Sequence, residues 1–233
     1  MQHGRSIRRL AGIALTTALA LGPGTAARGA VFFSEYVEGS ASNKALEVYN
    51  SGAQSVDLAG FEVRVYANGS ATATGTVNLT GKTVPAGGTL VLAHPSAAPA
   101  LLALAQQTSG TLNFNGDDAL ALFANGVALD HIGQVGVDPG DAWGSATFGT
   151  KDQTLRRLPE VLTGDGLTAS AFNPALGWAS YPVDTFDGLG RHSVSPPAVP
   201  LPPSMALLGF ALGSLSLLRR RARPTPPVLR PVG

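Results

Sequence analysis

The sequence of 233 residues contains no cysteine, which excludes disulfide bonds, a thiolate nucleophile and cysteine-ligated metal centres. Charged residues make up only 13% of the chain, roughly half of their share in a typical soluble domain, so a solvated disordered chain and a long coiled coil are both excluded. Nucleophile-elbow, P-loop and H-E-x-x-H zinc motifs are also missing. The chain is instead rich in glycine (29) and proline (17), which predicts frequent turns and few long helices.

The first 30 residues have the three parts of a secretory signal peptide. Three arginines precede an apolar run over residues 10–21, and the helix-breaking Gly22-Pro23-Gly24 separates this run from a string of small residues. Cleavage after Ala27 or after Gly29 fits the small-x-small pattern of such sites. We therefore expect export with removal of residues 1–27, and an uncleaved anchor helix is the alternative.

The other end of the chain combines an apolar run with a cluster of arginines. A helix over residues 205–218 is about 21 Å long, which is short of the ~30 Å hydrocarbon core of a membrane, whereas a count from residue 199 gives enough length to span it. Positive charge beside an apolar helix stays on the cytoplasmic side, and arginines follow directly within residues 219–223. We predict a membrane helix with its arginine cluster over residues 204–223, and a buried core helix is the alternative.

Val199, Pro200 and Pro202 open this apolar segment. The arginines that close it are Arg219, Arg220 and Arg221. This order of elements resembles the PEP-CTERM sorting signal that exosortases recognise, in a variant without the usual acidic residue between the prolines. The resemblance implies three partners, namely an exosortase-like sorting enzyme, the secretion machinery and the membrane. It also implies an exported protein that is anchored at the inner membrane and, once processed, reaches the cell surface or the extracellular space.

Removing the two ends changes the charge balance of the chain. Four of the 16 lysines and arginines lie before residue 31 and five lie after residue 198, whereas all 15 acidic residues lie between these ends. The body therefore carries 7 positive and 15 negative charges, a net of −8 against +1 for the whole chain. Nucleic-acid binding depends on basic clusters, so no direct nucleic-acid partner is expected.

The predicted organisation is a signal peptide (1–27), a body (31–193), a proline-rich linker (194–203), the helix with its arginines (204–223) and a proline-rich tail (224–233).

The body carries the signals of short β-strands. Aromatic and β-branched residues recur in short runs, several of which alternate with polar residues, and turn residues end many of them. The predicted strands cover residues 31–37, 45–49, 61–66, 76–79, 89–93, 118–123, 127–132, 153–158 and 178–181. The clearest hairpin crosses Ala124-Asn125-Gly126, because Asn-Gly favours a type I′ turn. With only residues 98–106 expected to be helical, the pattern predicts an all-β sandwich or barrel.

The body also contains short motifs of specific composition. They are 34–40 (SEYVEGS), 43–50 (NKALEVYN), 113–120 (NFNGDDAL), 130–136 (DHIGQVG) and 138–144 (DPGDAWG). In this order they resemble the lamin-tail domain of bacterial secreted proteins, over roughly residues 31–185. The resemblance implies an immunoglobulin-like β-sandwich, but it implies no reaction, because function resides in sites rather than in folds.

Acidic and amide side chains gather after residue 112. Asn113, Asn115 and Asp117 have the spacing of the first ligands of an EF-hand, but Asp118 stands at position six and Ala124 at position twelve, which excludes that motif. The candidate ligands of an irregular structural calcium site are Asp117, Asp118, Asp138 and Asp141. Turn chemistry, in which such side chains satisfy loop amides, is the favoured alternative.

The histidines and tryptophans of the body offer little sign of catalysis. The three histidines, in unrelated segments, are His94, His131 and His192. Asp130 and His131 are neighbours on a predicted strand, and such neighbours point to opposite faces, so we expect a structural histidine and no catalytic residue. Trp143 and Trp178 could stack on sugar rings, but burial in the core is favoured.

Together these features predict a non-catalytic surface or extracellular-matrix module with a binding or structural role in the cell envelope. No cofactor is expected apart from the candidate calcium ion, and an extracellular polysaccharide is a candidate partner. One alternative is an accessory module that works with a secreted nuclease or hydrolase. A less favoured alternative is a metal-dependent hydrolase.

Overall fold

In the computed structural model, which describes residues 31–195, nearly all regular structure is β-strand. The strands are β1 (Val31–Glu38), β2 (Lys44–Asn50), β3 (Val56–Asp57), β4 (Phe61–Tyr66), β5 (Gly75–Asn78), β6 (Thr83–Val84), β7 (Thr89–Ala93), β8 (Gln107–Thr108), β9 (Ala119–Ala124), β10 (Val127–Ile132), β11 (Gly144–Ser145), β12 (Phe148–Gly149), β13 (Gln153–Arg157) and β14 (Trp178–Pro182). A 3₁₀ turn covers Ala67–Gly69 and one helical turn, α1, covers Pro99–Leu102. The nine longer strands correspond to the nine predicted ones, and the other five have two residues each, so the all-β class is confirmed.

Two sheets make up the sandwich. The larger sheet has six strands in the order β14-β13-β1-β2-β7-β8, and all of its pairs are antiparallel except β7 with β8. The smaller sheet has four antiparallel strands in the order β10-β9-β4-β5. Two further two-stranded pairs, β3 with β6 and β11 with β12, lie in the connections.

The main hydrophobic core combines side chains from both sheets. Phe33 of β1 and Val48 of β2 are fully buried and belong to one cluster with Val63 of β4 and Leu122 of β9. These residues recur at every second position of their strands, so each sheet turns one apolar face inward. Burial of each such side chain contributes about 1.5–3 kcal/mol, which makes this face the main source of the sandwich's stability.

The outer face of the six-stranded sheet is also covered. Every residue of β1 and β2 is buried, and Val37 and Val91 pack in a second cluster with Leu101 of α1 and Leu189. Leu189 belongs to the segment after β14, residues 183–193, which we call the C-terminal strap. The strap's Asp184 carboxylate accepts hydrogen bonds from the Ser40 backbone N–H at 2.9 Å and from the Asn43 side-chain amide at 2.9 Å. Strap and helical turn together therefore form a third layer over this sheet.

The hairpin of β9 and β10 has the predicted turn. Asn125 and Gly126 have φ values of 51° and 77°, and positive φ at both central residues defines type I′, so this prediction is confirmed. The turn is also held from outside, because the Asn125 N–H donates to the Gly60 carbonyl at 2.7 Å. A Cβ on Gly60 would lie 2.1 Å from the Asn125 side-chain oxygen. The turn around residue 60 can therefore lie against the hairpin turn only if residue 60 is a glycine.

The predicted helix over residues 98–106 was too long. The helix ends at Leu102, because Gln106 and Gln107 join the edge of the larger sheet instead. The Gln106 N–H donates to the Val91 carbonyl at 2.9 Å, and Gln107 pairs with Leu92 in parallel register. For the end of the predicted helix, main-chain pairing with the edge of the sheet is thus favoured over the local preference for a helix.

The described residues do not extend to the two predicted end signals. The signal peptide, the linker from residue 196 onward, the membrane helix and the tail all lie outside them, as do the sorting-signal residues Val199, Pro200, Pro202, Arg219, Arg220 and Arg221. Within residues 31–195, no helix is long and apolar enough to cross a membrane.

Candidate functional site

The four candidate calcium ligands occupy different surroundings. Asp118 is buried at the start of β9, and its carboxylate accepts the backbone N–H groups of Asn68 and Asn115, each at 3.0 Å. Burial raises the pKa of Asp118, and these two hydrogen bonds act against the rise. Asp138 is exposed and accepts the Gly140 N–H at 2.8 Å. Both carboxylates thus accept hydrogen bonds from loop N–H groups, as the turn-chemistry alternative predicts.

The other two candidates, Asp117 and Asp141, line one small cavity of about 100 Å³ together with Glu38, Lys151 and Asp152. Lys151 already contributes a cation, since its ammonium lies 2.8 Å from the Asp141 carboxylate. Among residues 31–195, no three carboxylate or imidazole groups are placed so that they could hold a metal ion together. Calcium binding at Asp117, Asp118, Asp138 and Asp141 stays an untested hypothesis, with turn chemistry as the favoured alternative.

Asp130 is fully buried at the edge of the smaller sheet and joins three parts of the chain. One carboxylate oxygen accepts the Phe33 N–H of β1 at 2.9 Å and pairs with the guanidinium of Arg157, and the other accepts the Asp165 N–H at 3.0 Å. Because both oxygens are used in this way, the carboxylate has a structural role.

The neighbouring His131 has different partners. Its Nδ1 lies 2.7 Å from the Gly133 carbonyl, which places the proton on Nδ1, and its ring packs edge-on against Phe172. Its Nε2 lies 3.7 Å from the exposed Asp165 carboxylate. Asp130 and His131 line the same cleft of about 160 Å³, yet their hydrogen bonds lead to separate partners.

Both tryptophans lie in the interior, as the favoured interpretation predicts. Trp143 is 7% and Trp178 is 2% exposed, so neither presents a ring face to a sugar. The guanidinium of Arg157 lies over the Trp178 ring at 3.9 Å. Trp178 thus packs in the main core next to the Arg157–Asp130 ion pair.

A pair of buried carboxylates that the sequence analysis missed lies under the C-terminal strap. Glu35 of β1 stands directly opposite Glu47 of β2, and both are almost fully buried. Burial raises the pKa of Glu35 to about 8, although the Arg156 guanidinium at 3.2 Å acts against the rise. Burial also raises the pKa of Glu47, against hydrogen bonds that include those donated by the Ser34 hydroxyl and the Gly190 N–H.

Gly188 of the strap closes over the Glu35–Arg156 pair. A Cβ at this position would lie 2.2 Å from both a Glu35 carboxylate oxygen and Arg156 Nε. Only a glycine lets the strap's backbone approach the pair this closely. In the sequence, the one signal was an acidic residue in the middle of each of two mostly apolar strands.

Sequence reasoning also overlooked a basic groove between β13, β14 and the strap. Its volume is about 390 Å³, and its walls include Arg156, Arg157, Tyr181, Arg191 and His192. The Arg156 guanidinium lies over the Tyr181 ring at 4.2 Å and also pairs with the Asp187 carboxylate. We call this feature the basic groove.

The comparison with known families agrees with the strand motifs. Residues 24–136 match the family model of the Lamin Tail Domain. No curated protein and no solved structure gives a significant match to the chain. The family match ends before β13, β14 and the strap, so the basic groove lies outside it. Over residues 24–136 the chain is therefore similar to the lamin tail domain, which supports the resemblance drawn from its motifs.

Proposed function

We propose that the protein is a non-catalytic module that is exported and acts by binding or by structure in the cell envelope or the extracellular polymer layer. The observation that carries the proposal is the use of Asp130, whose two carboxylate oxygens both hold the fold together. A general base needs a free lone pair within reach of its substrate. The likeness to the lamin tail domain over residues 24–136 points in the same direction.

The exported location rests on the pattern of the two ends. The amino-terminal segment reads as a signal peptide, and the carboxyl-terminal segment resembles an exosortase sorting signal, with Pro200 and Pro202 before the apolar run and arginines after it. In this proposal the chain first stays at the inner membrane and is then processed by an exosortase-like enzyme.

Fractionation of producing cells tests the location, with an antibody against the body as the probe. We expect the full chain in the membrane fraction and a variant without residues 205–223 in the periplasm or medium. A matched variant without residues 2–27 should stay in the cytoplasm. A full chain that stays in the cytoplasm would contradict the proposal.

An activity assay tests the absence of catalysis independently. The purified full chain is incubated with DNA, RNA and polysaccharides, with calcium, magnesium or EDTA, and no cleavage is expected. EDTA-sensitive cleavage that disappears in His131→Ala would show that the cleft around His131 is an active site and would overturn the proposal.

A further inference from the structure

Arginine is concentrated at the basic groove in an otherwise acidic body. The body has only seven lysines and arginines against 15 acidic residues, and three of the seven, Arg156, Arg157 and Arg191, line this one groove. They are also three of the four arginines of the body, the other being Arg64. Arginine binds carboxylate and phosphate through two parallel hydrogen bonds, which lysine cannot do.

These guanidinium groups retain unused donors. Each guanidinium has five N–H groups, and within residues 31–195 Arg156 and Arg157 use only Nε and Nη2. Arg191 is exposed and donates once, to the Asp187 carbonyl. Arg191 is the exposed member of the three, so an anion beside it would find N–H donors that the fold does not already use.

The carboxylates around the groove leave it with an excess of positive charge. Asp130 pairs with Arg157, and Asp187 pairs with Arg156. Burial raises the pKa of the two other carboxyl groups beside the groove, Glu35 and Glu47. Among residues 31–195 the Arg191 guanidinium donates only to a backbone carbonyl, so no ion pair balances its charge.

The size of the groove and its aromatic wall suit a sugar ligand. Its volume of about 390 Å³ falls at the low end of small-molecule sites, ~300–1,000 Å³, which leaves room for a short stretch of polymer. Tyr181 is 37% exposed, and its ring gives the groove an aromatic wall against which the C–H face of a sugar packs. The strap is held to the sheet by Asp184 and Leu189, so the groove is formed before a ligand arrives.

We propose that the basic groove binds a carboxylated extracellular polysaccharide, with Arg191 holding a sugar carboxylate and Tyr181 packing against a sugar ring. The inference rests on the proposed function and names its ligand class. A nucleic acid is the less favoured polyanion, because duplex DNA carries one charge per ~1.7 Å and the surrounding body has a net charge of −8. A polymer with one carboxylate per sugar places fewer charges against that surface.

Polygalacturonate is the probe, and its affinity is measured with the detergent-solubilised full chain. We expect binding that weakens as salt rises, with no binding to neutral dextran. Arg191→Gln should lower the affinity about tenfold, the loss of one charge-assisted contact, and Tyr181→Leu should also lower it. Arg64→Gln, at the one arginine of the body (residues 31–193) outside the groove, is the matched control and should leave the affinity unchanged. All three side chains lie at or near the surface, so the melting temperatures should stay close to that of the parent.

Three results would overturn the inference. They are an absence of polygalacturonate binding, an equal loss in Arg191→Gln and Arg64→Gln, and tighter binding of single-stranded DNA that Arg191→Gln weakens. The last result would make the groove a nucleic-acid site. An exported, membrane-held chain that does not bind polygalacturonate would overturn this inference alone, since cell fractionation tests the proposed function separately.

Discussion

The two faces of the six-stranded sheet are both buried, but they are stabilised by different means. The inner face carries apolar side chains such as Phe33 and Val48, which pack against the second sheet. The outer face carries Glu35 and Glu47 opposite one another, beside Arg156 and beneath the strap. Hydrophobic packing tolerates small adjustments, whereas a buried polar or charged group depends on each partner being present. We therefore expect the two faces to respond differently to substitution and to pH.

The largest effect should come from Asp130→Ala, which breaks a buried ion pair at the edge of the core. The variant leaves the Arg157 guanidinium and the Phe33 N–H without their partner, which costs about 3–5 kcal/mol of unfolding free energy. Urea unfolding followed by tryptophan fluorescence measures this in the full chain, because both tryptophans lie in the body. Asp141→Ala, at an exposed ion pair, should change the value by less than ~1 kcal/mol. Equal losses in the two variants would contradict the structural role of Asp130.

The second effect concerns the outer face and its dependence on pH. The pKa of Glu35 is raised from 4.5 to about 8 by burial, so the folded state holds a proton that the unfolded state has lost. The stability that this proton supplies is fully present below about pH 4.5 and is lost as pH rises to about 8. We expect the unfolding free energy to fall by a few kcal/mol over this interval.

Glu35→Gln should make this pH dependence shallower, because an amide keeps the shape of the carboxyl group and does not ionise. The raised pKa of Glu47 should leave part of the slope. Glu62→Gln, on the smaller sheet and partly exposed, is the control and should keep the parent's slope. A parent whose stability rises steadily between pH 5 and pH 8 would show that Glu35 does not titrate as the structure indicates.

The hairpin of β9 and β10, in the smaller sheet that packs on the inner face, should give the third effect. Asn125→Ala removes a side chain that tolerates a φ of 51°, and Gly126→Val places a β-branched side chain at a φ of 77°. Such a conformation costs ~1–2 kcal/mol for a residue with a Cβ and more for a β-branched one. The loss of unfolding free energy should be about 2–3 kcal/mol and should exceed that of any single exposed Asp→Ala variant. An unchanged melting temperature would mean that the strands do not depend on this turn.

The smallest effect should be that of calcium. Asp118 and Asp138 are already used by backbone N–H groups, and Lys151 neutralises Asp141, so added calcium should leave the melting temperature unchanged. A calcium-dependent rise that disappears in Asp117→Asn would instead establish the ion site that the sequence left open.

The inner face was predictable from the sequence and the outer face was not, for a physical reason. Alternation along β2 and β4 identifies one face of each sheet that must be buried, and Asn125-Gly126 identifies the turn between strands. Glu35 and Glu47, by contrast, occupy positions that alternation assigns to solvent. They are buried because the strap, which lies more than 130 residues further along the chain, covers them. No local sequence pattern indicates such a long-range contact. The basic groove was missed for the same reason, since Arg191 and Arg156 come together only through the strap.

The contact between Gly60 and Asn125 also decides where a label can be inserted into the body. Both Asn125 and Gly126 are exposed, so the hairpin tip looks like a free loop into which a tag could be placed. A tag there would break the hydrogen bond from Asn125 to Gly60 and disturb two connections at once. At the exposed Gly110 a side chain would meet open space among the described residues, so an epitope for following export is better placed there.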